Sequence, residues 1–165
     1  MAFPVRRLEL SETPALAAFA EACFREAFLP HFGAGALEVL CPLVFATNVM
    51  EQLIRNGAWV AGDWQGYVAL GTTPCPVPEL PSPVVELARL YVPLPWQGQG
   101  VANALMETSL AEARQRGGRS AWLQAYAGNP RALAFYRRWG FRDFGPFTVA
   151  CQGLELPHRA LGRDL

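Results

Sequence analysis

The feature that most constrains the fold is a pair of helix starts in the second half of the chain, each placed directly after an apolar, strand-like run. Residues 84–92 lead through a glycine-containing turn into a predicted helix over residues 100–116. Residues 121–126 lead into Asn129-Pro130, where an N-cap residue followed by proline predicts a second helix. Alternating strands and helices of this kind predict an α/β sheet with helices on its faces.

The first half predicts an opening strand at residues 5–10 and an amphipathic helix that begins at Thr13-Pro14 and ends at Pro30 and Gly33. A helical pair follows over 37–45 and 49–55, with Asn48 and Glu51 at capping-box spacing. Residues 58–61 and 67–70 predict a β-hairpin. The proline-rich stretch 72–83 predicts a stiff surface loop, and 147–151 and 158–161 predict two final antiparallel strands.

Composition limits the number of domains and the classes of partner. A chain of 165 residues that is 52% apolar and 17% charged predicts one buried core and a single domain, residues 1–165. Its 14 basic and 14 acidic residues cancel, and no basic run is present, so nucleic acid is not expected as a partner. The basic residues are all Arg, which excludes a Schiff-base lysine and a Walker-type phosphate loop.

The N-terminal segment carries charges where a signal peptide needs apolar residues, and no run approaches the roughly 18 apolar residues of a membrane span. We therefore expect a cytoplasmic protein without a membrane partner. The scattered residues Cys23, Cys41, Cys75 and Cys151 form no C-x-x-C pair, and only His31 and His158 could join them as ligands, so no metal is expected. Four buried thiols are predicted, and a cysteine nucleophile is the alternative.

The glycine-containing turn has the composition of an anion-binding loop. It comprises Gln97, Gly98, Gln99, Gly100, Val101 and Ala102. Backbone N-H groups at the start of a helix can point at a phosphate, and glycines let the phosphate approach the main chain. The dinucleotide fingerprint fails because Asn103 occupies its third glycine position. The alternative is a turn that only reverses the chain.

A second motif follows on the next predicted helix, and it consists of Asn129, Ala132, Phe135, Tyr136, Gly140 and Phe141. Together with the loop at 97–102, this motif resembles the GNAT superfamily of N-acetyltransferases, with close agreement over about residues 86–141. The resemblance implies a mixed, mostly antiparallel α/β (α+β) sheet of about six to seven strands with a splayed central pair, flanked by about four helices.

The resemblance also implies acetyl-CoA as the co-substrate and assigns its binding residues. The backbone of Leu90, Tyr91 and Val92 is expected to pair with the pantetheine arm. The amides of 97–102 are expected to bind the pyrophosphate. Ala132 and Phe135 are expected to lie against the arm, with Asn129 near the splayed strands.

Acetyl transfer needs an unprotonated amine, a donor for the oxyanion and a proton for the departing thiolate. A backbone N-H near Val92 is expected to stabilise the oxyanion, and the Tyr136 hydroxyl to protonate the sulfur. Glu86 is the expected general base. The structural alternatives are a helix cap for Asn129, a core aromatic for Tyr136 and a solvated strand-end carboxylate for Glu86.

The acceptor is less defined by sequence. Residues 24–28, 31–32 and 86–92 resemble bacterial members that acetylate polyamines or other small amines. A protein N-terminus or side chain is the alternative acceptor, and a non-catalytic CoA-responsive binding module is the alternative function. Acetyl rather than a longer acyl group follows only from the resemblance, and a homodimer stays open because the final hairpin has exposed edges.

Overall fold

The computed structural model describes residues 3–165, so Met1 and Ala2 of the predicted domain and of the charged N-terminal segment lie outside the described residues. Seven strands and four α-helices are present among the residues described. The strands are β1 Val5–Arg7, β2 Ala58–Ala61, β3 Gly66–Gly71, β4 Val84–Tyr91, β5 Ser120–Tyr126, β6 Arg142–Cys151 and β7 Leu154–Asp164. The helices are α1 Thr13–Val44, α2 Thr47–Asn56, α3 Val101–Gln115 and α4 Pro130–Arg138, with short 3-10 helices at Leu10–Glu12 and Leu94–Trp96.

The strands form one mixed sheet in the order β1-β2-β3-β4-β5-β7-β6. The β1-β2, β2-β3, β5-β7 and β6-β7 pairs are antiparallel. The β4-β5 pair is parallel, and its register joins only Val84, Val85 and Glu86 to residues 120–122, although both strands run further. The predicted mixed sheet with its partly separated central pair and four helices is therefore confirmed.

By compactness the chain divides into two units. The first contains residues up to Gly71 together with Arg89–Ser109, and the second contains Thr72–Ala88 and Leu110–Leu165. Strand β4 and helix α3 each contribute residues to both units.

Helix α1 is broken at Gly33, whose φ of 76° and ψ of 164° are not helical. Arg25 Nη1 lies 2.9 Å from Glu38 Oε1. In a straight helix those two residues would be about 20 Å apart along the axis, beyond the reach of their side chains. The chain therefore turns back at Gly33, which confirms the predicted break there, whereas Pro30 lies inside the helix.

One helix bears on the expectation that no run approaches a membrane span. The segment Leu10–Val44 is helical over 35 residues, and an 18-residue window within it has a mean hydropathy of 1.5, enough in length and composition to cross a membrane. A single segment of this kind is weak evidence, because core helices of soluble proteins pass the same test. The break at Gly33 also prevents the described segment from forming one straight span.

The first unit has a helix on each face of its strands. The ring of Tyr67 in β3 lies 6.0 Å from that of Phe19 in α1. On the other face, a Cβ built on Gly66 would lie 2.9 Å from Val101 Cγ1 and 3.1 Å from Leu105 Cδ1, both in α3. Because consecutive strand residues point to opposite faces, α1 and α3 cover opposite sides of β3.

The second unit has its own core. Val77 and Leu80 of the proline-rich segment pack with Trp122 in β5 and Ala160 in β7. The predicted lack of helix and strand in residues 72–83 is confirmed, but the segment is anchored by these two buried side chains rather than lying wholly on the surface. The final strands are antiparallel as predicted and longer than expected.

Local helix chemistry was predicted correctly at one helix and wrongly at another. Asn129 caps α4, with its side chain accepting a hydrogen bond from the amide of Ala132. The capping box predicted for Asn48 and Glu51 is wrong, because α2 begins two residues earlier than predicted, with Ala46 as N-cap and no side-chain cap.

Candidate active site

The loop at residues 97–102 forms the start of α3 and leaves backbone donors open. Gly98 and Gly100 have φ of 78° and 93°, values that L-residues rarely adopt. The Gly100 carbonyl accepts from the Ala104 amide at 3.1 Å, so the helical ladder begins there. The amides before Ala104 have no acceptor within the helix. Residues 98–100 are exposed, Ala102 is half-buried and Val101 is buried, so the positive end of the helix dipole opens to the surface at the two glycines.

Two glutamines brace this loop through their side chains. Gln97 Nε2 donates to the Val92 carbonyl at 2.9 Å, and Gln99 Nε2 donates to the Pro95 carbonyl at 2.6 Å. The backbone amide of Gln97 donates to the Leu94 carbonyl at 3.2 Å, so it is the least available of the six predicted phosphate donors. The side chains thus fix the turn without using its other amides.

The end of β4 lies in the same unit as this loop. Leu90, Tyr91 and Val92 are half-buried. The Tyr91 ring stacks on that of Tyr67, with centroids 5.7 Å apart and planes at 15°. Burial raises the pKa of Tyr91 to about 12, and the nearby Arg89 guanidinium opposes this increase.

Arg89 and Tyr67 are residues that the sequence analysis missed. Arg89 Nη2 donates to the Val44 carbonyl at 2.9 Å, and its guanidinium carbon lies 5.1 Å from the centroid of the Phe45 ring. Burial raises the pKa of the Tyr67 phenol, and the Arg89 charge partly offsets that effect. The one available signal was an arginine two positions before Tyr91, in a strand whose other residues are apolar except for Glu86.

Glu86 is buried, with 5% of its surface exposed. Its Oε2 accepts a hydrogen bond from the Thr73 amide at 2.6 Å. The alternative of a solvated strand-end glutamate is therefore wrong. The carboxylate therefore holds the start of the proline-rich segment. Any role as general base is additional to this structural contact.

Tyr136 lies on α4 with 9% of its surface exposed. Its ring centroid lies 5.5 Å from that of Phe135 and 5.8 Å from that of Phe141. Ala132 and Phe135 are half-buried on the same helix. Asn129 Oδ1 accepts from the Ala132 amide at 3.1 Å. The structural alternatives for Asn129 and Tyr136, a cap and a core aromatic, are thus confirmed as at least part of their roles.

The predicted site residues fall into two groups, each within its own unit. Leu90, Tyr91, Val92 and the loop at 97–102 belong to the first unit. Glu86, Asn129, Ala132, Phe135 and Tyr136 belong to the second.

The cysteines and His158 are poor candidates for chemistry. Cys23 and Cys41 are buried, but Cys75 and Cys151 are only half-buried, so the prediction of four buried thiols is wrong for two of them. Burial, followed by the nearby Glu26 charge, raises the pKa of Cys23 to about 12, which disfavours the reactive thiolate. His158 Nδ1 lies 2.8 Å from the Leu156 carbonyl, and burial lowers its pKa. Across residues 3–165, no three His, Cys, Asp or Glu side chains are grouped as metal ligands.

Comparison with known proteins identifies sequence relatives that match part of the chain and solved structures whose fold matches nearly all of it. An uncharacterized N-acetyltransferase of Mycobacterium tuberculosis is 41% identical over 64 residues, which make up 39% of this chain and 41% of that protein. The chain thus matches less than half the length of the curated relatives it resembles.

Two solved structures share the fold. The PaiA N-acetyltransferase of Thermoplasma acidophilum, in complex with coenzyme A, has a TM-score of 0.77 at 14% identity, covering 100% of both chains. A ribosomal-protein-alanine N-acetyltransferase from Brucella melitensis has a TM-score of 0.73 at 24% identity, covering 98% of this chain and 99% of that one. The model of the acetyltransferase (GNAT) family matches residues 17–141, which is most of the chain, and the protein therefore belongs to the GNAT family of acetyltransferases.

Proposed function

We propose that this protein transfers an acetyl group from acetyl-CoA to the primary amine of a small molecule, by direct attack while both substrates are bound. The observation that carries the proposal is the glycine-led start of α3, where residues 98–100 are exposed and the amides that open the helix have no acceptor inside it. Coenzyme A is bound in the solved Thermoplasma structure of the same fold. A pyrophosphate is the anion that this terminus suits.

Acetyl-CoA supplies an acetyl group activated as a thioester. In the proposed site, the backbone of Leu90, Tyr91 and Val92 holds the pantetheine arm as an added strand. The short β4-β5 register supports this role, because β4 continues for five residues beyond its last pairing with β5 at Glu86. Ala132 and Phe135 present half-buried apolar surface for the arm.

The chemical roles fall on three groups. A backbone N-H near Val92 stabilises the developing oxyanion, and the Tyr136 hydroxyl gives its proton to the departing thiolate. Glu86 accepts the proton of the attacking amine, directly or through water. Its burial favours this role over that of a surface carboxylate, and its bond from the Thr73 amide fixes its position.

The rest of the proposal concerns cellular location, domain organisation and oligomeric state. We place the enzyme in the cytoplasm as a single acetyltransferase domain, active without a metal. A homodimer is compatible with the free edge of the terminal hairpin, where β6 is the last strand of the sheet.

Thiol release from acetyl-CoA across polyamines, arylamines, amino acids and short peptides tests the function. We expect amine-dependent release, with kcat about a hundredfold lower in Tyr136→Phe and an unchanged Kd for acetyl-CoA. Tyr126→Phe, which removes another phenol of the second unit, serves as the matched control. Release with peptides alone would replace the small amine by a protein acceptor. Binding without release from any acceptor would favour the CoA-responsive module.

The base is tested separately. Glu86→Gln is expected to displace the pH dependence of kcat, because a buried carboxylate then no longer accepts the amine proton. An unchanged pH profile would place the base elsewhere or in solvent.

A further inference from the structure

The first unit contains a half-buried arginine that forms no ion pair with any residue the structure describes. Arg89 Nη1 is fully buried and makes no hydrogen bond, while Nη2 donates to the Val44 carbonyl. The guanidinium lies over the Phe45 ring, which attracts a cation but carries no charge. Among residues 3–165, no carboxylate forms an ion pair with Arg89. Shielding one nitrogen of a charged guanidinium from water without a hydrogen-bond acceptor is costly unless something compensates it.

A second unsatisfied donor lies beside it. Tyr67 has 0% of its surface exposed, and its hydroxyl interacts with the neighbouring Arg89 guanidinium but has no partner at good hydrogen-bond geometry. The Tyr67 ring stacks on Tyr91, which stands two residues after Arg89 on the same face of β4. Buried polar groups in native proteins are nearly always hydrogen-bonded, so two unsatisfied groups together point to a missing partner.

The missing partner has to be an acceptor with negative charge. Arg89 carries one charge and offers N-H donors in a planar fork, and Tyr67 adds an O-H donor. A carboxylate has two acceptor oxygens in a plane and one negative charge, which matches this set. The nearby Cys23 thiol does not supply the charge, because burial and Glu26 keep it protonated.

The site lies next to the backbone where acetyl transfer is proposed. Arg89 immediately precedes Leu90, Tyr91 and Val92 in the sequence and lies on the face of the sheet covered by α1. We infer that Arg89 and Tyr67 bind the carboxylate of the acceptor, so that the substrate class is amino acids or other amines bearing a carboxylate. The inference rests on the proposed function, whose small-amine acceptor it narrows. A polyamine, which has only cationic groups, would not compensate Arg89.

Matched acceptors test this inference. Each amino acid is compared with its methylamide, which keeps the amine and removes the negative charge, and with a diamine. The wild type is expected to prefer the amino acid by at least tenfold in kcat/KM. Arg89→Gln is expected to raise KM for the amino acid at least tenfold while leaving the methylamide unchanged. Arg7→Gln removes an exposed guanidinium that lies 5.6 Å from the Trp59 ring centroid, and it is the matched control.

Tyr67→Phe separates binding from a structural role. Removal of a buried hydroxyl with no partner leaves stability unchanged or raises it, whereas removal of a ligand-binding hydroxyl raises KM for the amino acid. We expect both results in the same variant. Equal losses with all acceptors in Tyr67→Phe and Arg89→Gln, or full use of diamines with no use of amino acids, would overturn the inference while leaving acetyl transfer intact.

Binding measured without turnover distinguishes this inference from the proposed function. With coenzyme A present, amino acids are expected to raise the Tm of the wild type and methylamides are not. That difference should disappear in Arg89→Gln. If it persists in Arg89→Gln, or if the wild type shows no difference, the carboxylate site is wrong whether or not thiol release is observed. Absence of thiol release with the Tm difference intact would contradict the transfer reaction alone.

Discussion

Helices α3 and α4 begin in opposite ways, although both follow a strand. At α4, the Asn129 side chain turns back and accepts the Ala132 amide at 3.1 Å, so the protein caps its own helix. At α3, the corresponding place is held by Gly100, which has no side chain to do this. The nearby glutamines donate to the carbonyls of Val92 and Pro95 and leave the helix amides alone.

The difference supports our proposal that the start of α3, and not that of α4, binds the cofactor. A terminus that is capped by its own chain gains about 1 kcal/mol and has one donor fewer for an anion. A terminus left open on glycines forgoes that stability, and its amides and dipole can bind a phosphate. On this account α4 starts as a structural element and α3 as the cofactor site.

The largest expected effect concerns Gly100. Gly100→Ala forces an L-residue to adopt a φ of 93°, so the loop should relax and its amides should lose their direction. We expect the Kd for acetyl-CoA to rise at least tenfold and the free energy of unfolding to fall by about 1–2 kcal/mol. Isothermal titration calorimetry and thermal unfolding measure the two quantities.

Gly117→Ala is the matched control for this change. Gly117 follows the C-terminal end of α3 and has a φ of 79°. At Gly117, as at Gly100, a Cβ added to the glycine would have nothing within 4 Å. The two variants should lose similar stability, and only Gly100→Ala should lose affinity. Equal losses of affinity in both variants would show that the loop has no special role.

A smaller effect concerns the cap of α4. Asn129→Ala should lower the free energy of unfolding by about 1 kcal/mol, because the Ala132 amide loses its acceptor. Asn129→Asp should restore stability, since a carboxylate caps as well. If Asn129 also contacts the cofactor, as we propose, the added charge should still weaken acetyl-CoA binding a few-fold. Recovery of both stability and affinity in Asn129→Asp would leave Asn129 as a cap only.

The smallest expected effect concerns His158 in β7, the strand that contacts the segment before α4. The Ala127 amide donates to the Pro157 carbonyl at 2.9 Å, next to His158. Burial lowers the pKa of folded His158 below its ordinary 6.5, so the unfolded chain binds more protons below that pH. The stability from neutral His158 is therefore present above about pH 6.5 and is lost as the pH falls below that value.

Thermal unfolding between about pH 7.5 and 5.5 measures this loss. His158→Gln should flatten the decrease in Tm, and His31→Gln, at an exposed position on α1, should leave its slope as in the wild type. An unchanged slope in His158→Gln would assign the pH dependence to other groups.

Local chemistry explains how much of the fold could be predicted. Turns and helix starts in the second half are specified locally, by the side chains of Asn129-Pro130 and by the lack of a side chain at Gly98 and Gly100. The order of strands and helices in that half could therefore be predicted. Pro30 was expected to end α1, but the helix continues to the break at Gly33, because a proline cost can be overcome by packing elsewhere. Phe28, which precedes Pro30, is buried, with its ring centroid 4.6 Å from that of Phe24.

The parts that sequence missed depend on contacts between distant residues. Arg89 meets the Val44 carbonyl from 45 positions away. The burial of Glu86 depends on the Thr73 amide, which belongs to a segment without helix or strand and so without a periodic pattern. The two motifs proposed to bind the cofactor were visible because each is a short local sequence, whereas the proposed carboxylate site has no local motif.

The central claim is that the open start of α3, and not the capped start of α4, holds the pyrophosphate of acetyl-CoA. Amide chemical shifts during titration with coenzyme A, and then with pantetheine, which lacks the pyrophosphate, test it directly. We predict large shifts with coenzyme A at Gly98, Gln99, Gly100, Val101 and Ala102 that pantetheine does not reproduce, and no such difference at Ala132. Equal responses to both compounds in the loop, or a pyrophosphate-dependent shift at Ala132 with none in the loop, would contradict the claim.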